Sequence, residues 1–146
     1  MAEPYDLLLG RTTYEKFADA FANSRDNPVA EKLSNARKFV VTSSSKPLAW
    51  KNTQRVAGNI AAEISSLKDQ AGPLLQVHGS WQLIQLLLSH RLIDEFRLWI
   101  FPVVVGEGKR LFADGTIPAT LELSKCDALS CGAVMNFYRP VEKVQH

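Results

Sequence analysis

Three short turns carry the residues whose types and spacing could do chemistry: Gly10-Arg11-Thr12-Thr13, Thr42-Ser43-Ser44-Ser45-Lys46 and His78-Gly79-Ser80. Each follows a short apolar or β-branched run that reads as a strand, and the first and third pass straight into a helical pattern. A strand that turns through small residues into a helix leaves backbone N–H groups free, and such a helix start is a natural seat for phosphate. In the first turn, Arg11 with the hydroxyls of Thr12 and Thr13 could hold a phosphate by charge and by side-chain and backbone donors. The same residues also read as an ordinary capping box, Thr12 with Glu15, beside a solvated arginine. In the second, hydroxyls and Lys46 could grip a ribose 2′-phosphate, or could be a plain polar loop. In the third, Gly79 would let a backbone come close to a pyrophosphate. His78 could serve as an acid/base group, although a lone histidine beside an apolar strand is more often a packed residue. No Cys, Asp or second His stands at metal spacing from it, so no metal site is expected.

Other chemistries find little support. Gly106-Glu107-Gly108 has a GxG spacing but lacks the third glycine and the strand–helix context of a dinucleotide fingerprint, so a structural turn is expected there. No serine sits in a nucleophile elbow. Asp94 and Glu95 adjoin a strand, where neighbours point to opposite faces and do not converge on one substrate atom. No catalytic residue can be named. Hydride transfer suits this poverty, because the cofactor carries the reactive atom and the protein orients it.

The elements that must position these turns can be read from pattern. Asp6 to Gly10 reads as a strand, followed by a helix from about Thr13 whose inner face is Tyr14, Phe17, Ala18 and Phe21. Pro28 to Asn35 reads as a short helix, Lys38 to Thr42 as a strand, and Gln54 to Ala57 as a brief edge strand. Asn59 can cap a helix from Ile60 to about Gln70, and Gly72-Pro73 stops it. Pro73 to Val77 is a strand, and the helix after it shows Leu83, Ile84, Leu87 and Leu88 on one face. Phe96 to Val105 is the longest strand signal, and Thr120 to Ala128 with Ala133 to Arg139 reads as a hairpin. Strands alternating with helices imply a parallel sheet covered on both faces, with the closing hairpin adding antiparallel strands.

Bulk composition sets the frame. The chain of 146 residues is 46% hydrophobic and 22% charged, as expected for one globular domain spanning 1–146. A net charge of +2 with scattered Lys and Arg gives no footprint for nucleic acid. The apolar runs are too short to span a bilayer, and residues 1–10 lack the pattern of a signal peptide. Cys126 and Cys131 flank the hairpin turn and could meet across it, but reduced thiols in a cytoplasmic protein are the expectation.

Four segments stand in an order that resembles a known family: Leu8 to Glu15, Val77 to Ser80, Leu92 to Leu98, and Phe101 to Phe112. Over about residues 5–140 the chain is similar to the dihydrofolate-reductase-like family that includes the C-terminal reductase domain of the bifunctional riboflavin biosynthesis protein, and above all to its stand-alone bacterial members. The resemblance implies a three-layer α/β/α fold around a mixed sheet, mostly parallel with a C-terminal antiparallel hairpin. It implies an NADPH-dependent reductase acting on a small heterocyclic or carbonyl substrate, with a homodimer common. Gly10, Arg11, Thr12 and Thr13 match the segment on the cofactor phosphates, and Ser43 and Ser44 the turn on the adenosine 2′-phosphate side. Gly79 and Ser80 match the glycine pair under the pyrophosphate. His78 matches the first glycine of the family's turn, whose peptide bond to the next residue is often cis. One departure stands out. Family members begin with a strand and a long loop before the Leu-Gly-Arg-Thr segment, and here Gly10 arrives almost at once. The chain is therefore expected to be N-terminally short, without the loop over the nicotinamide, and to be either an active reductase or a non-catalytic nucleotide-binding remnant.

Overall fold

The computed structural model describes residues 4–141. The chain runs β1 (Tyr5–Gly10), α1 (Arg11–Phe21), α2 (Pro28–Asn35), β2 (Lys38–Val41), β3 (Thr53–Val56), α3 (Ile60–Asp69), β4 (Leu74–Val77), α4 (Trp81–Ser89), β5 (Phe96–Ile100), β6 (Leu121–Ala128) and β7 (Val134–Pro140). The first four strands form a parallel sheet in the order β3-β2-β1-β4. The last three form an antiparallel sheet of their own, β5-β7-β6. The fold is thus the expected α/β class, with the antiparallel strands hydrogen-bonded to one another rather than to the parallel sheet.

β1 is central in the parallel sheet, which explains its uninterrupted Leu7-Leu8-Leu9. A strand covered on both faces needs apolar residues on both. Leu7 and Leu9 pack with Tyr14, Leu33, Val40 and Trp50, under α1 and α2. Leu8 packs on the opposite face with Phe39, Val56, Ile64, Leu83 and Leu87, under α3 and α4. Burying each of these leucines is worth about 1.5–3 kcal/mol. The predicted inner face of α1 holds, since Phe17, Ala18 and Phe21 all pack on the first cluster.

One buried polar node fixes the loop that follows β2. Lys38 is fully buried, and its Nζ donates to the carbonyls of Leu33, Ser34 and Ala36 at 2.8, 3.1 and 2.7 Å. These are carbonyls at the end of α2 that the helix leaves unpaired. The ammonium also lies 4.4 Å from the centre of the Trp50 ring. Trp50 in turn donates its indole N–H to Ser34 Oγ and its backbone N–H to the Tyr14 hydroxyl. The return end of the 42–52 loop is thereby pinned to α1 and α2.

Two expectations change. The strand signal from Phe96 to Val105 yields a strand only to Ile100. Its partner runs out there: Ile100 pairs with Val134, the first residue of β7, and Pro102 has no N–H to donate. The cysteines do not meet. Cys126 lies in β6 opposite Asn136, Cys131 lies in the turn, and both are free and exposed.

Candidate functional site

The parallel sheet has a switch in its winding. From β1 the chain adds β2 and β3 outward on one side, then crosses back to lay β4 on the other side of β1. In open α/β sheets, ligands bind outside the carboxyl ends of the strands at such a point. Here it falls between the ends of β1 and β4, where Gly10 and His78-Gly79-Ser80 lie.

These two turns are stitched together. The Gly10 N–H donates to the Gly79 carbonyl at 3.0 Å. A Cβ on Gly10 would run into the Ser80 side chain, and one on Gly79 would sit 2.5 Å from Thr13 Oγ1. Gly79 also has φ +142°, a conformation that favours glycine. Gly10, Thr13, Gly79 and Ser80 therefore interlock, and the space a Gly79 side chain would need belongs to Thr13. The lack of a side chain at Gly79 serves the contact between the two turns. The cis peptide bond of this turn lies between Gly79 and Ser80, one residue beyond the His78–Gly79 bond that the resemblance suggested.

Two helices begin at this junction, and both begin without a side-chain cap. α1 starts directly from Gly10 and α4 from Ser80, neither of which makes a capping hydrogen bond. The predicted Thr12–Glu15 capping box does not form. Glu15 instead accepts from Arg11 Nε at 2.8 Å across one helical turn, and this bond with the arginine's charge holds its carboxyl below the ordinary range. Away from the junction the pattern is reversed: Asn27 caps α2 and Asn59 caps α3. The first turns of α2 and α3 also carry Glu31 and Glu63, whereas those of α1 and α4 carry no acidic residue. The two helix starts with unclaimed N–H groups and no acidic residue in the first turn are the two that meet, which suits an anion, although at α1 the Glu15 carboxylate pairs with Arg11.

The third turn flanks this junction. Val41 is opposite Gly10, so the chain beyond it leaves the sheet beside the start of α1. Two local bonds shape it: Ser44 N–H donates to Thr42 Oγ1 at 3.1 Å, and Lys46 N–H to Ser44 Oγ at 3.2 Å. Lys46 is close enough to Glu15 for its charge to help lower that carboxyl's pKa. Ser43 is exposed. His78 is exposed by area, yet its ring lies 6.1 Å from that of Phe17 and its Nε2 3.3 Å from Gln76 Oε1. Desolvation of this ring pushes its pKa below the ordinary value, so it is neutral at pH 7.

The glycine-rich loop does more than turn. Trp81, the first residue of α4, donates its indole N–H to the Arg110 carbonyl at 2.7 Å. Gln85 donates to the Leu111 carbonyl at 2.7 Å, and Lys109 Nζ lies 5.5 Å from the centre of the Trp81 ring. This docking brings Lys109 beside the start of α4. The basic pair after the GxG was the available signal, but nothing in the sequence pairs it with Trp81. Asp94 and Glu95 are committed elsewhere, Asp94 to Lys68 at 3.0 Å and Glu95 to Arg97 at 2.6 Å. Among the described residues no group of three or more His, Cys, Asp or Glu side chains could hold a metal ion.

The fold is an α/β sheet with two uncapped helix starts joined at its switch point, an arrangement of backbone donors that suits an anion. Comparison with known proteins narrows the class. Residues 1–135 match the model of the RibD C-terminal domain, and the chain belongs to that family. It is 30% identical over 135 residues to the uncharacterized protein YyaP of Bacillus subtilis, covering 90% of this chain and 72% of that one. A putative riboflavin biosynthesis protein from Shewanella sp. PV-4 superposes with a TM-score of 0.75 at 21% identity, over 96% of this chain and 75% of that one. The Thermotoga maritima diaminohydroxyphosphoribosylaminopyrimidine deaminase/5-amino-6-(5-phosphoribosylamino)uracil reductase superposes at 0.63 with 16% identity, over 95% of this chain but 46% of its own. The fold is dihydrofolate-reductase-like, as the resemblance implied.

Proposed function

We propose that this chain is an NADPH-dependent reductase that passes a hydride to a small heterocyclic substrate of pterin or pyrimidine type, or to a small carbonyl compound. The observation that carries this reading is the pair of uncapped helix starts, with no acidic residue in their first turns, locked together at the ends of β1 and β4. The family and the reductase named in the Thermotoga relative support the reaction class. In this reading Arg11, Thr12 and Thr13 hold the cofactor phosphates with the first N–H groups of α1. Gly79, Ser80 and the start of α4 hold the pyrophosphate. Ser43 and Ser44, with Lys46, take the 2′-phosphate side, and neutral His78 shapes the turn. NADPH supplies the hydride, and the chain binds and orients it. No side chain is assigned as proton donor, and a cytoplasmic setting goes with the proposal.

A second reading, a nucleotide-binding module without turnover, is favoured by one observation: Asp94 and Glu95 are both taken up in ion pairs. Titration with NADPH, followed through the fluorescence of Trp81, tests binding; oxidation of bound NADPH by a panel of pterins, pyrimidines and carbonyl compounds tests turnover. Saturable binding with oxidation supports the reductase. Binding without oxidation supports the module. Absence of binding at sub-millimolar NADPH overturns both.

A further inference from the structure

Arg11 and Lys46, two cations that the proposed function gives to phosphate, share one carboxylate. Arg11 Nε donates to Glu15 Oε1 at 2.8 Å, across one turn at the start of α1. That bond, the arginine's charge and the charge of Lys46 together hold the Glu15 carboxyl below the ordinary range, so it is ionised at neutral pH. The backbone sets these groups side by side. Gly10 pairs with Val41 in the sheet, which puts the start of α1 beside the chain leaving β2. Within that chain the Lys46 N–H donates to Ser44 Oγ, and Arg55 on β3 donates from its guanidinium to the Lys46 carbonyl. Pairing does not bury the carboxylate: the Glu15 side chain is 54% exposed and that of Arg11 31%. A ligand that reaches the Arg11 guanidinium therefore meets the Glu15 carboxylate as well.

We infer that Glu15 is a specificity-determining residue whose carboxylate competes with the ribose 2′-phosphate for Arg11 and Lys46 and so holds down the preference for NADPH over NADH. The inference rests on the proposed cofactor site and deepens it. A phosphate monoester carries about −1.5 to −2 charges at neutral pH. A 2′-hydroxyl is neutral and can donate a hydrogen bond to a carboxylate. The same Glu15 oxygens therefore repel one nucleotide and can accept from the other, and selectivity is the difference between the two affinities. Arg11 keeps its two terminal nitrogens to offer, but its Nε is already given to Glu15. Removing one charge beside a dianion, at solvent-exposed separations, is worth roughly three- to tenfold in affinity.

The Kd values of NADPH and of NADH, read from tryptophan fluorescence, test this on the wild-type full chain, Glu15→Gln and Asp19→Asn. Glutamine keeps an oxygen that can accept from Arg11 Nε and removes only the charge, so α1 should stay intact, which circular dichroism checks. Asp19 is exposed one turn further along α1, and Asp19→Asn controls for the change in net charge. Glu15→Gln should tighten NADPH roughly three- to tenfold and NADH by less than about twofold, a gain that fades in high salt. Asp19→Asn should leave the ratio of the two as in wild type. Unchanged or weakened NADPH binding in Glu15→Gln, an equal gain for both nucleotides, or the same shift in ratio from Asp19→Asn overturns the inference and leaves the cofactor site standing. Absence of binding of either nucleotide by all three proteins overturns the cofactor site, and the inference with it.

Discussion

Replacing Gly79 with alanine tests the interlock on which the site is built. The new Cβ would sit 2.5 Å from Thr13 Oγ1, 3.5 Å from Thr13 Cβ and 3.6 Å from its Cγ2, on a residue with φ +142°. The backbone conformation alone costs an L-residue about 1–3 kcal/mol. Overpacking adds about 1–3 kcal/mol unless Thr13 turns away, and turning shifts the start of α1. The expected loss is about 2–6 kcal/mol, a large part of an ordinary domain's stability of about 5–15 kcal/mol. At about 2–4 °C per kcal/mol for a chain of this size, melting falls by roughly 5–25 °C. Thr13→Ala removes the colliding oxygen, so the double variant should recover the steric part and leave the backbone part. Urea unfolding of wild type, both single variants and the double variant gives the coupling, expected at about 1 kcal/mol or more. A Gly79→Ala loss below about 0.5 kcal/mol, or no rescue by Thr13→Ala, would refute the interlock.

Other predictions concern the elements around the site. Burial, with the like charge of Lys51 adding to it, pushes the Lys38 pKa down to about 8. The unfolded chain then holds a proton that the folded chain gives up between pH 8 and its ordinary value of about 10.4, so this group makes stability rise with pH across that window. Lys38→Met should abolish that contribution; equal pH dependence in wild type and variant would contradict it. Trp81→Phe removes the bond to the Arg110 carbonyl, worth about 1 kcal/mol. Hydrogen exchange should speed up in residues 109–113 with little change in global unfolding, and unchanged exchange there would show that Trp81 does not hold the loop. Asn59→Ala should cost about 1 kcal/mol through the lost cap on α3, whereas Thr12→Ala should cost markedly less, because Thr12 caps nothing. Equal losses in urea unfolding would restore the capping box.

Much of the fold was legible because the local signals agree with the tertiary result. Leu7-Leu8-Leu9 reads as a strand buried on both faces and is one, and Asn59 caps the helix it precedes. The failures share a physical cause, competition from partners that sequence spacing does not show. Thr12 and Glu15 stand at capping-box spacing, but Arg11 takes the carboxylate one turn away and β1 runs into α1 without a gap. Phe101 to Val105 has strand composition, but β7 begins opposite Ile100 and leaves it nothing to pair with. At the site, all three turns could be located from sequence. What could not be read was which atoms fill the space beside each glycine, and so the packing of Gly79 on Thr13 was invisible in the sequence. The docking of residues 109–111 on α4 was likewise invisible, because it rests on one indole and one amide side chain reaching backbone carbonyls more than twenty residues away.

In the proposed function the junction of α1 and α4 seats the phosphates of NADPH. Titrating the full chain with NADPH while following its backbone amide resonances tests this directly. α2 and α3, capped by Asn27 and Asn59, serve as internal controls. Saturable shifts are expected, largest at Arg11 to Thr13 and Gly79 to Leu83, smaller at Ser43 and Ser44, and negligible at the starts of α2 and α3. Shifts confined to other surfaces, or none at sub-millimolar NADPH, would contradict it.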